Sequence, residues 1–313
     1  MNIVLKVLAI MLPIFLGYFF KHIKIFDRND IISIRKFVVK VTVPFIIFRN
    51  LYQANMETLS QLIPLALSFI IMTFLFSLSG FILSRLFSNK ITEQNAYIFS
   101  VFMGNYGYLG WGVMAYFFGD PGFTRAVFFS MLFWPVFLTA GFSLEFISSK
   151  STRGKDQIIK LLIHNGAAPI LVSLTAILLN IINIPLPEVI KEFIGKFAAI
   201  TIPTILFTIG LNFQLKLDRK HIKLILCGAM HRVVFGFIIG LTTLFAIKTV
   251  FSIDSITGKV ILMQSIMPTA VLSTFYAAYV LIDEKIQAGI ITFSNIFSLI
   301  TIPIAFYLVN LIF

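Results

Sequence analysis

The sequence predicts an all-helical membrane protein of ten spans, arranged as two inverted five-helix repeats. Three observations predict it. The chain of 313 residues is 58% hydrophobic and only 12% charged, about half the charge of an average soluble domain. Its apolar runs reach roughly 20 residues between short polar joints, the length that a hydrocarbon layer about 30 Å thick asks of a helix. Proline-centred motifs also recur in the same order in the two halves.

The spans are expected at 3–20, 31–52, 61–86, 94–118, 122–147, 158–183, 189–213, 222–249, 259–282 and 286–312. The first lacks a small-residue cleavage site and carries Lys6, so it reads as a membrane helix rather than a removed leader. The longest joints, "KHIKIFDRND" and "SSKSTRGKDQ", leave no room for a soluble domain. Cys227 is the one cysteine, which excludes disulfides and CxxC metal chemistry.

Basic residues set the orientation, because cytoplasmic loops are enriched in Lys and Arg. With the N-terminus outside, seventeen of the 25 basic residues fall on the inner side, seven on the outer side, and Arg232 falls within span eight. Both termini are therefore expected outside, in a bacterial cytoplasmic membrane. The formal charge of +12 reads as topology and contact with anionic lipid, not as a nucleic-acid surface.

Span two contains "VTVPFIIF" and span seven "ITIPTILF", so Thr42, Pro44 and Phe48 correspond to Thr201, Pro203 and Phe207 at one constant offset. Pro13 in span one answers Pro169 in span six, and Pro135 in span five answers Pro303 in span ten. Two repeats are implied, at 1–147 and 158–313, joined by a cytoplasmic linker at 148–157. Because five is odd, the second repeat enters the membrane from the opposite side, an arrangement that belongs to secondary transporters.

Span four, "FMGNYGYLGWG" at its centre, and span nine, "MQSIMPTAV", carry helix breakers at corresponding depth. Glycine costs a helix about 1 kcal/mol and proline about 3 relative to alanine, and in lipid each freed backbone group needs a partner. Such breaks survive where they face a cavity or one another. Two unwound helices crossing near the midplane point half-helix N-termini at a common place suited to an anionic group. The candidate substrate-binding residues are accordingly Gly104, Asn105 and Gly107 in span four, Gln264, Ser265, Pro268 and Thr269 in span nine, and Arg232. The glycines of "GFIIG", Gly236 and Gly240, read instead as a packing device.

The segments "VFMGNYGYLGWGV", "PTILFTIGL", "QSIMPTAVLSTFYAAYV" and "FVVKVTVPFIIF" together resemble the auxin efflux carrier family, which includes plant auxin exporters and bacterial malate and malonate permeases. The resemblance covers nearly the whole chain. It implies a fold similar to the bile acid/sodium symporters, with helices one, two, six and seven as scaffold and the others as a mobile transport domain. It further implies a crossing of helices four and nine at the substrate site, and a homodimer joined through the scaffold.

Arg232 is the deepest charge, about 12 Å into span eight at 1.5 Å per residue. Two readings stand: a guanidinium that draws an organic anion toward the inner vestibule, or a side chain that snorkels to the cytoplasmic surface. His231 reads as packed, and His164 with Asn165 as an inner-face pair. All thirteen acidic residues fall in joints or at helix ends, Glu145, Asp120, Asp283 and Glu284 among them. A cation–proton antiporter would need a midplane carboxylate, so that class is disfavoured. Proton or sodium coupling through neutral oxygens stays open.

The function expected is therefore transport of a small organic anion, a carboxylate such as malate or malonate, by alternating access. The alternative is a polytopic sensor that binds a ligand without moving it, but joints of this size offer no output surface. No HExxH, cysteine pair or GxSxG elbow is present, so neither an enzyme nor a resident metal or cofactor is expected.

Overall fold

The computed structural model describes residues 3–133, 135–137, 139–140, 167–212, 219–278 and 280–313. The linker 148–157, Glu145, His164 and Asn165 lie outside the described residues, as does span five beyond 140. Among the described residues the protein is all-helical, with one isolated bridged pair as its only β contact. The helices are α1 (Ile3–His22), α2 (Arg28–Phe37), α3 (Val43–Tyr52), α4 (Met56–Ser60), α5 (Leu62–Phe87), α6 (Ile91–Phe102) and α7 (Trp111–Ser130). They continue as α8 (Ala167–Ile181), α9 (Glu188–Asn212), α10 (Ile222–Met230), α11 (Gly236–Lys248), α12 (Ser255–Ser265) and α13 (Glu284–Ile312).

Among the described residues four stretches, Glu57–Phe87, Glu188–Leu211, Ile222–Lys248 and Glu284–Ile312, are long and apolar enough to cross a membrane. Phe74 and Phe245 stand outward on two of them, where contiguous apolar surface is a liability in water and none in lipid. Three of the acids begin helices: Asp27 accepts from the amides of Asn29 and Asp30, Asp254 caps α12 and Asp283 caps α13, and the side-chain oxygen of Asn55 caps α4 in the same way. A carboxylate there meets otherwise unpaired amides and the positive end of the helix dipole.

Span two, expected as one helix, is broken by a π-helical turn at Val38–Thr42 between α2 and α3. Pro44 has no amide to give and its ring displaces the preceding carbonyls, so the Val43 amide reaches back to the carbonyl of Val38. Likewise Gly119, at φ 67°, divides α7 ahead of Pro121, where the joint between spans four and five was expected.

The chain divides into two compact units, each drawn from both halves of the sequence. The first comprises the described residues within 1–62, 107–131 and 159–213. Within it α1 packs on α9, α8 on α3, and α3 on α9. The α1–α9 crossing runs backbone to backbone through Gly17 and Gly210. Thr201 donates to the carbonyl of Thr42 at 3.0 Å, joining the two residues that the proline motifs place in register. Arg49 Nη2 pairs with Asp120 Oδ1 at 2.9 Å, and Gly112 packs on Leu206.

The second unit comprises the described residues within 63–106, 132–158 and 214–313. Ala96, Tyr97 and Val101 of α6, Leu224 and Ile225 of α10, and Ile286 and Ile290 of α13 form a buried apolar cluster. At one end of this cluster the Glu93 carboxylate accepts from Ser88 (2.8 Å) and Lys90 (3.1 Å) and faces His221 at 3.6 Å. Burial alone would raise this carboxyl, but the hydrogen bonds from Ser88 and Lys90 and the charges of Lys90 and His221 outweigh it and hold it below its ordinary value. A depressed folded value adds stability above the unfolded carboxylate value, and that stability is lost as pH falls through the folded one. Glu93→Gln should therefore lower the melting temperature at neutral pH, with the difference from wild type closing below about pH 4; thermal melts across that range check it.

Candidate functional site

The site is built in the second unit from two interrupted helices. α6 stops at Phe102, and Met103 to Asn105 run extended before a π-helical turn at Tyr106–Gly110. α12 stops at Ser265, and the chain is extended from Pro268 until a 3-10 helix begins at Val271. The two breaks meet as an antiparallel pair with Gly104 opposite Thr269. The Asn105 amide donates to the Pro268 carbonyl at 2.7 Å, and the Ala270 amide to the Met103 carbonyl at 3.0 Å. Each break thus supplies the acceptor that the other helix lost, which answers the requirement that no backbone group go unpaired in lipid. Thr269 gives its amide to Ser294 Oγ at 3.1 Å.

Gly104, Asn105, Gln264, Ser265, Pro268 and Thr269 are all buried, whereas Gly107 is half-buried and falls in the first unit. Around the span-nine break, Gln264 Nε2 and Oε1, Thr269 Oγ1 and Ser273 Oγ are buried with no hydrogen-bond partner among the described residues. A buried amide or hydroxyl without a partner costs about 1–3 kcal/mol, so such atoms mark a place arranged for something other than packing.

Arg232 belongs to the same site and is 0% exposed, so it does not snorkel. It sits in a π-helical turn, His231–Phe235, between α10 and α11. Nη1 donates to the Ser265 carbonyl at 3.1 Å and Nη2 to the Tyr106 hydroxyl at 2.9 Å. The guanidinium stacks over Phe76 at 3.9 Å, and Nε keeps an unused donor. One side chain therefore touches both breaks. Gly104 leaves the room that Nη2 fills, since a Cβ there would overlap it. Gly236 and Gly240 likewise seat Ser265, their missing methyls facing its carbonyl and its hydroxyl. The packing role expected for "GFIIG" is thus directed at the break.

His231 is packed, as expected, within a hydrogen-bonded chain. Ser79 gives its proton to the Leu75 carbonyl at 2.7 Å and so accepts from His231 Nε2 at 2.9 Å. Nδ1 is left to accept from the Tyr97 hydroxyl at 3.1 Å. A neutral imidazole satisfies this chain at both nitrogens. Sequence reasoning missed Tyr106, Ser273, Phe76, Ser79 and Tyr97. Only Tyr106 carried a signal, its place next to Asn105; the others are brought in by tertiary packing.

The sequence matches the membrane transport protein family over residues 2–306. The chain belongs to the auxin efflux carrier family of membrane transport proteins. It is 23% identical over 300 residues to an uncharacterized transporter of Methanothermobacter thermautotrophicus, covering 95% of each chain. It is 25% identical over 303 residues to another uncharacterized transporter, of Methanocaldococcus jannaschii, covering 95% of this chain and 96% of the relative. A family of this kind and the apolar helices together make this an integral membrane protein of transport.

Proposed function

We propose that this family member is a secondary carrier that moves a small organic anion, a carboxylate such as malate or malonate, by alternating access. The observation that carries the reading is the bridged pair of helix breaks with neutral polar atoms left unpaired beside it. Beyond the span-nine break a helical segment restarts at Val271, and the first amides of a helix have no acceptor within it. Their partial positive charge favours an anion. Asn105, Gln264, Thr269 and Ser273 add hydrogen-bonding groups, and Arg232 supplies a full positive charge behind Gly104.

Ten spans in two inverted repeats, at 1–147 and 158–313, belong to the same proposal. Its support is reciprocity. The bridge exchanges bonds symmetrically about Gly104 and Thr269, and α1 meets α9 as α8 meets α3. Both compact units draw on both halves of the chain, an arrangement that supports a carrier made of a scaffold and a moving part. Both termini outside a cytoplasmic membrane, lipid contact and a homodimer complete the reading.

The test is uptake into proteoliposomes of labelled mono- and dicarboxylates, with membrane potential, proton gradient and sodium gradient imposed one at a time. Saturable uptake of one acid supports the carrier reading and identifies its driving force. Saturable binding of an acid without uptake under any gradient would replace it with the sensor reading.

A further inference from the structure

We propose that Arg232 is a tethered cation, its guanidinium taking the place at the C-terminal end of α12 that other interrupted-helix carriers give to a bound metal ion. The protein then needs no sodium ion to complete its crossing. The reasoning starts from the end of the half-helix. The last carbonyls of a helix lack partners and carry about half a negative charge, and in carriers with broken spans such ends coordinate sodium or a proton. In this chain the Ser265 carbonyl, which closes α12, accepts from Arg232 Nη1 at 3.1 Å.

A buried guanidinium is expensive unless something holds it. Arg232 is fully buried, yet no salt bridge to a carboxylate holds it among the described residues. What surrounds it is the Ser265 carbonyl, the Tyr106 hydroxyl and the face of Phe76. These are dipoles and a π face, the surroundings of a cation that serves a helix end rather than half of an ion pair. The site is also shaped around it, because Gly104 omits the methyl that Nη2 would strike. Among the described residues, no group of His, Cys, Asp and Glu is placed to hold a metal ion.

The test needs no substrate, so it stands apart from the organic-anion reading. The full-length protein is purified in detergent and melted in sodium, lithium, guanidinium or choline chloride at equal, low-millimolar concentration. Wild type should melt at one temperature in all four salts. Arg232→Met should melt about 5 °C or more lower in choline and recover part of that loss in guanidinium or sodium. Arg232→Lys, which keeps the charge with one fewer contact, should fall between the two without responding to sodium. Sodium raising the wild-type melting temperature above that in choline would overturn the proposal. So would an Arg232→Met protein that melts like wild type or regains nothing from any cation, or an Arg232→Lys protein no more stable than the Met variant. If Arg232→Met yields no folded protein, the wild-type salt series and the Lys variant decide the question.

Discussion

Gly104→Ala should cost the protein far more than one methyl group suggests. The added Cβ would overlap Arg232 Nη2 and lie within 2.7 Å of the Tyr106 ring. The end of an arginine normally swings aside, but this one is pinned by the Ser265 carbonyl, the Tyr106 hydroxyl and Phe76, with no exposed surface to move into. It must give up a charged hydrogen bond, a loss of about 1.5–3 kcal/mol. We expect the melting temperature to fall by roughly 4–8 °C and transport to be lost. A double-mutant cycle assigns the cause. In an Arg232→Met background the cost of Gly104→Ala should mostly vanish, and a cost unchanged there would place the collision elsewhere.

The second large effect belongs to the other unit. At the α1–α9 crossing, a methyl on Gly210 meets the backbone carbonyl of Ile14 and the amide nitrogen of Tyr18, and one on Gly17 meets the carbonyl of Phe207. Backbone has no rotamer to change, so the helices must separate along the contact. Overpacking of this kind costs about 1–3 kcal/mol or more. Gly210→Ala and Gly17→Ala should each lower the melting temperature, and together by less than their sum, since one separation relieves both. Gly195, on the same α9, has nothing within 4 Å of its would-be Cβ. Gly195→Ala should be neutral or stabilising by up to about 1 kcal/mol. Equal losses at Gly195 and Gly210 would contradict the packing account.

The breaks in spans four and nine were legible because glycine, asparagine and proline write backbone interruption into the sequence directly. That the breaks would cross was expected from their matching depth and again from the resemblance, but nothing in the sequence said that they would pair through their backbones. The bonds between Met103 and Ala270, and between Asn105 and Pro268, join backbone atoms that every residue has. The acceptors of Arg232 were hidden for a related reason. One is a carbonyl, and the other is a tyrosine 126 positions away. The π-helical turn at His231–Phe235 has neither proline nor glycine within it, so nothing in the sequence marked it. The turn at Val38–Thr42 precedes Pro44, and there the signal was read only as a repeat motif. The role of Gly236 and Gly240 was half legible: small residues announce close packing, but not that Ser265 is what packs there.

In this account the two breaks, their bridge and Arg232 form one preorganised crossing, and the residue on its span-four strand with a polar side chain is Asn105. Its backbone closes the bridge and its amide side chain is buried there. The most direct test is uptake of the transported acid by Asn105→Ala beside wild type, with melting temperatures measured on the same preparations. Asn105→Ala keeps the backbone bond to Pro268, so the account predicts a melting temperature within about 2 °C of wild type and uptake reduced at least about tenfold, the equivalent of 1.4 kcal/mol in the transition state. Wild-type uptake by a well-folded Asn105→Ala protein would contradict the crossing as the place where the anion binds.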